Sequence, residues 1–148
     1  NLYHTLINDF KITKPKMILA GINPHAGENK TISKDDNKYL LPIIKIKKKR
    51  GLFIDGPVSG DGMINNQNLN YYDAFIFTYH DQALIPFKIL SNYQGVNFTS
   101  NLDIIRVSPS HGTAENLIGS KQVISNGIIN CFNLIKKINR NRNKIDSS

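Results

Sequence analysis

Met17-Ile18-Leu19-Ala20-Gly21-Ile22-Asn23-Pro24-His25-Ala26-Gly27-Glu28 is a short apolar run that breaks into Gly, Asn-Pro and Gly. It reads as a buried strand ending in a tight loop, and open α/β sheets place their ligands at such strand ends. His25 then sits at a rim. A second run, Asp73-Ala74-Phe75-Ile76-Phe77-Thr78, ends the same way in Tyr79-His80-Asp81-Gln82, placing another imidazole and a carboxylate at a sheet edge. Two histidines at two strand ends can share one metal ion. A lone histidine is more often a hydrogen-bonded structural residue than a ligand, so the pairing carries that reading.

On the N-terminal side, Leu2, Leu6 and Phe10 stand at helical spacing, and a turn around Pro15 leads into the first strand. After the His25 loop, Ser33-Lys34-Asp35-Asp36 offers an N-cap and early negative charge for a helix running to Arg50. Tyr39, Leu40, Ile43, Ile44 and Lys47 trace one face of it, Pro42 bends it and Gly51 ends it. Leu52-Phe53-Ile54 is the next strand. The stretch from Gly56 to Gly62 is a loop by composition, and the Asn-rich run from Asn65 to Asn70 extends it. Within that loop Asp61 reads as a turn-former or as a carboxylate that orients or deprotonates a substrate.

Asp81 to Lys88 predicts a short helix, and Gln94-Gly95-Val96-Asn97-Phe98-Thr99 and Ile104-Ile105-Arg106-Val107 predict strands. An arginine within an apolar strand needs a partner if it is buried, which points to an anion site at Arg106. Lys88 and Asn97 read as ordinary surface residues. A last helix, Ser125 to Asn139, carries Ile128, Ile129, Phe132, Ile135 and Ile138 as a core stripe. The alternation of strands and helices argues an α/β protein, a parallel or mixed sheet flanked by helices.

The chain has 148 residues, 40% of them hydrophobic, enough for one ordinary domain. No apolar run approaches membrane-spanning length, and no basic leader followed by an apolar core precedes the first helix, so neither a membrane anchor nor a targeting peptide is expected. Cys131 reads as a small core residue, which fits a reducing cytoplasm. The net charge of +8 suggests phosphate-bearing partners. The excess gathers in Lys45-Ile46-Lys47-Lys48-Lys49-Arg50 and in Lys136, Lys137, Arg140, Arg142 and Lys144. Cations at helix C-termini are favoured by the helix dipole, so a solvated helix end is preferred to nucleic-acid binding.

The segments Asn23-Pro24-His25-Ala26-Gly27-Glu28, Tyr79-His80-Asp81-Gln82 and Ser110-His111-Gly112-Thr113-Ala114 occur in the order and approximate spacing of the PdxA family, the 4-hydroxythreonine-4-phosphate dehydrogenases of vitamin B6 biosynthesis. The resemblance runs from the first residues to about Lys137, over what corresponds to the C-terminal half of a family member. It implies an isocitrate/isopropylmalate dehydrogenase-like fold with an incomplete sheet, residues 1–138 forming that part and 139–148 a basic polar tail. It also implies His25 and His80 as ligands of a divalent metal (Zn, Mg, Co or Mn) and Asp61 as the catalytic carboxylate. Lys88, Asn97 and Arg106 become a clamp for a small phosphorylated substrate, and His111, Gly112, Thr113 and Ala114 a loop meeting NAD or NADP. No Gly-x-Gly-x-x-Gly motif is present, so the cofactor rests on the resemblance alone.

The resemblance further implies a cytoplasmic homodimer whose metal site uses three histidines shared between subunits, the third preceding the region matched here. Ser110 replaces a usual Asp, and Ile124 a usually polar residue. Two other readings stand beside the first: a dehydrogenase of threonate or erythronate 4-phosphate, and a non-catalytic remnant that only folds or associates with a partner.

Overall fold

Three parallel strands, β1 (Lys16–Ala20), β2 (Phe53–Val58) and β3 (Ala74–Ile76), form the first sheet in the order β2-β1-β3. The structure, a computed structural model, describes residues 1–26, 32–92, 94–110 and 125–143. β1 pairs on one side with β2 and on the other with β3. Met17, Ile18 and Ala20 are all buried, the near-continuous burial of a central parallel strand covered on both faces. Ile18, Ala20 and Met63 form a core with Val58, Tyr72, Phe75 and Phe77 packed against it.

The chain divides into two compact units, Lys14–Pro86 and Asn1–Thr13 with Phe87–Ser148. In the first, the segment after the His25 loop opens as a π-helical turn, Asp36–Leu40, and continues as α2 (Leu41–Lys49), α1 being Leu2–Asn8 of the other unit. The single bent helix expected from Ser33 to Arg50 is thus two helical segments meeting next to Pro42. Proline lacks the N–H that would donate back to Lys38. α2 buries Ile44. Lys48 near its end donates to Asp55 Oδ1 on β2 at 2.9 Å, and the Tyr72 hydroxyl donates to Asp55 Oδ2 at 2.9 Å. Burial and the adjacent Asp55 carboxylate push the Tyr72 hydroxyl up to about 12.

Two loop expectations are corrected. Gly56, Pro57 and Val58 belong to β2: Val58 pairs with Ala20 across a register slip between Ile18 and Ala20, which keeps the ladder running through a sequence that looks like a turn. Asn66–Tyr71 is a helix, α3, not an extended loop. Asn65 caps it by accepting from the Asn68 N–H, and the Asn68 amide donates to Met63 O at 2.9 Å.

The second unit contains α1, an antiparallel ribbon of β4 (Val96–Thr99) and β5 (Arg106–Pro109), and α5 (Asn126–Asn143). α4 (His80–Ser91) crosses from one unit to the other in sequence. The helix expected to end at Asn139 reaches Asn143, because its last turn has partners. Arg142 makes a double ion-pair contact to Asp9, Nε to Oδ1 at 2.7 Å and Nη2 to Oδ2 at 3.0 Å. Its Nη1 donates to the carbonyls of Leu102 and Asp103, and Asn141 donates to Asp9 O. The Asp9 contact holds the Arg142 guanidinium above its ordinary pKa. Ile138 and Cys131 are buried, and burial raises the Cys131 thiol pKa. Ile128, Ile129 and Phe132 are exposed, so that part of the expected core stripe has no cover among the described residues.

Candidate functional site

Parallel strands share one carboxyl edge, where the loops leaving β1 and β2 carry His25 and Asp61 and the connection leaving β3 ends at His80, the first residue of α4. Hydrogen bonds and close packing hold these loops together. The Gly21 N–H donates to Val58 O at 2.8 Å, joining the end of β1 to that of β2. The Thr78 hydroxyl donates to Gly21 O at 2.8 Å, joining the end of β3 to that of β1. Gln82, in the first turn of α4, lies against Gly60, where an added Cβ would stand 3.0 Å from the amide nitrogen. Thr78 and Gln82 were not singled out in the sequence. The only signal for them was position, a hydroxyl at a strand end and an amide one turn later.

His25 lies in a turn closed by Ala26 N to Asn23 O at 2.8 Å, with Asn23 Oδ1 accepting from the His25 N–H at 2.9 Å. The residues feeding that turn are held from behind: Asp36, fully buried, accepts from Ile22 N–H at 2.6 Å and from Asn23 N–H at 3.2 Å. His25, Asp61 and His80 are exposed to solvent. Asp61 accepts from the Gly62 N–H at 2.8 Å, the local contact of a turn-forming aspartate. Among the described residues, no group of three or more His, Cys, Asp or Glu is placed to hold a metal ion.

In the other unit, Asn97 and Arg106 share one face of the ribbon. Asn97 is paired with Ser108 and Thr99 with Arg106, and cross-strand partners project to the same side. That face is polar, made of Asn97, Thr99, Arg106 and Ser108, while Val96, Phe98, Val107 and Pro109 make the apolar one. Arg106 is exposed, so burial does not demand an anion there as the sequence suggested. Its Nη1 donates to Thr99 Oγ1 at 2.9 Å. Lys88 is exposed on α4. His111, Gly112, Thr113 and Ala114 lie outside the described residues.

The model of the family described as pyridoxal phosphate biosynthetic protein PdxA matches residues 1–135. The chain belongs to the PdxA family. It is 35% identical over 117 residues to the 4-hydroxythreonine-4-phosphate dehydrogenase of Bacteroides thetaiotaomicron, covering 79% of this chain and 32% of that protein. To the protein of the same name from Paracoccus denitrificans it is 40% identical over 111 residues, 75% of this chain and 34% of that one. The crystal structure of 4-hydroxythreonine-4-phosphate dehydrogenase from Klebsiella pneumoniae superposes with a TM-score of 0.73 at 28% identity, covering 95% of this chain and 42% of that one. The one from Burkholderia phymatum gives 0.69 at 32% identity, 91% and 40%. The α/β architecture with its small parallel sheet is therefore that of family structures, and the chain spans about a third of the length of its curated relatives. Among the described residues, no helix is long and apolar enough to cross a membrane.

Proposed function

We propose that the chain is the C-terminal part of a cytoplasmic dehydrogenase that oxidises 4-hydroxythreonine 4-phosphate, with decarboxylation, in pyridoxal phosphate biosynthesis. It would work with NAD or NADP, a divalent metal and the remaining N-terminal half, in a homodimer of the isocitrate/isopropylmalate dehydrogenase-like fold. The observation that carries this is the convergence of the His25, Asp61 and His80 loops at one carboxyl edge, in a chain of this family.

The donor chemistry at that edge fits a divalent cation in kind, with imidazoles from two loops tied together through Gly21 and Thr78. It is one short of the three protein ligands usual in catalytic sites, and the third is assigned to the part of the enzyme outside this chain. When bound, the cation would supply Lewis acidity at a substrate hydroxyl and the nicotinamide a hydride acceptor. Asp61 takes the hydroxyl proton as general base. Arg106, presented with Asn97 on the polar face of the ribbon, and Lys88 bind the phosphate and carboxylate of the substrate through charge-assisted hydrogen bonds. The small residues of His111-Gly112-Thr113-Ala114 let the adenosine end of the cofactor approach the backbone.

Titrating the full chain with zinc tests the reading. Stoichiometric binding weakened at least about tenfold by His25→Ala and by His80→Ala is expected, in line with the loss of a ligand. Binding unchanged by both substitutions, or salt-sensitive binding to any polyanion in its place, would overturn it.

A further inference from the structure

Asp36 is fully buried, and a buried carboxylate persists only where its charge is matched by donors. Here these are backbone N–H groups, Ile22 at 2.6 Å from Oδ1 and Asn23 at 3.2 Å from Oδ2. Two consecutive amides pointing at one carboxylate fix the direction of the chain as it leaves β1. The next links lead to the histidine: Asn23 Oδ1 accepts from His25 N–H, and the turn closes through Ala26 N to Asn23 O. Ala26 adopts a left-handed φ of 50°, a conformation that needs support from its surroundings. Val58 O and Thr78 hold Gly21, and among the described residues outside this turn it is Asp36 whose side chain holds Ile22 and Asn23. Gly21 makes this possible, since a Cβ there would stand 3.0 Å from Asp36 Oδ1.

We infer that Asp36 is a positioning residue for His25: its carboxylate clamps the backbone of Ile22 and Asn23 and so sets where the imidazole stands at the sheet edge. The functional half of this statement rests on the metal reading above, while the clamp itself does not. Asp36→Asn keeps the shape but turns an amide NH2 toward one of the two N–H groups, so one bond becomes a repulsion.

The test is made on the full chain with two readouts. Amide exchange at Ile22, Asn23 and His25 should quicken in Asp36→Asn while Met17 and Ile18, in the same strand system, stay protected. Zinc affinity should fall about tenfold, the lower end for losing a direct outer-shell partner because Asp36 acts on the imidazole through the backbone, and the loss should vanish when His25→Ala is already present. An unchanged affinity, an equal loss in the His25→Ala background, or exchange quickened equally at Met17 and Ile18 would overturn the inference. If zinc binding proves indifferent to His25→Ala and His80→Ala, the metal reading falls, and exchange alone decides the clamp. Should Asp36→Asn not fold, Asp36→Ser, whose hydroxyl is too short to reach both N–H groups, is read in the same way, and the same outcomes apply.

Discussion

Replacing Arg142 with methionine would test whether the second unit is held together by a half-buried ion pair. Methionine keeps much of the apolar stem, so the loss is mainly that of the guanidinium. Four hydrogen bonds go with it: two to the Asp9 carboxylate at 2.7 and 3.0 Å, and two to the Leu102 and Asp103 carbonyls at 3.1 and 3.0 Å. The Asp9 side chain is only 5% exposed and would be left as a buried, uncompensated charge, a situation that costs about 3–5 kcal/mol. The Arg142 side chain is 24% exposed, so water reaches its side of the vacancy, and the expected loss lies near the lower end, about 3 kcal/mol. That is a large part of the total stability of a typical domain. Urea unfolding of the full chain gives the magnitude, and amide exchange at Leu6 and Ile138 reports it locally. The double variant Asp9→Asn/Arg142→Met should lose less than the sum of the single changes, because the stranded charge is gone. A loss below about 1 kcal/mol for Arg142→Met, the size of a surface ion pair, would refute the reasoning.

Gly56→Ala should destabilise the first unit by about 2 kcal/mol or more, since Gly56 sits at φ 123° and a Cβ there would run into the Leu19 carbonyl; equilibrium unfolding measures it. Ultraviolet phenolate titration should show Tyr72 ionising late, near pH 12, and Asp55→Asn should bring it earlier. Because the folded pKa of Tyr72 lies above its ordinary value of 10.0, the associated stability is complete below pH 10.0 and is lost as pH rises through about 12. Asp55 behaves oppositely. Burial raises its pKa, but hydrogen bonds from Lys48 and Tyr72 with the Lys48 charge outweigh that and leave it below 3.8. Its contribution is present above pH 3.8 and is lost as pH falls through the lowered pKa, which acid unfolding of wild type against Asp55→Asn would reveal.

The central strand was legible because a strand buried on both faces must be apolar throughout, and Met17-Ile18-Leu19-Ala20 offers no other use. Its end was legible because Gly, Asn-Pro and Gly cannot continue it. α3 was not, since Asn is at once the commonest loop residue and a preferred N-cap, and only the position of the Asn68 N–H separates the two. β2 hid its second half behind Gly56 and Pro57, whose place in the ladder depends on a register slip that lies in the pairing, not in either strand alone. The helical period of α5 was plain, but periodicity says which residues share a face and not what covers it, so Ile128, Ile129 and Phe132 were misjudged. At the site, His25, Asp61 and His80 were visible as strand-end residues. Asp36 was not: an acidic residue early in a helix is ordinary, and nothing local announces that its carboxylate reaches back 14 residues to the chain leaving β1.

Asparagine fastens much of this molecule, and the direction of each bond determines how the fastening would age. At Asn23 the side-chain oxygen accepts from a backbone N–H, a task that aspartate performs as well, whereas Asn65 both accepts from the Asn68 N–H and donates to the Gly62 carbonyl. At Asn68, Asn130 and Asn141 the side-chain nitrogen donates to the carbonyls of Met63, Gln94 and Asp9, and a carboxylate has no hydrogen to offer there. Asparagine is among the residues that heat destroys first. Deamidation would therefore spare the turn that carries His25, while at Asn141 it would set a fresh negative charge against the Asp9 carbonyl, beside the pair that closes the last helix.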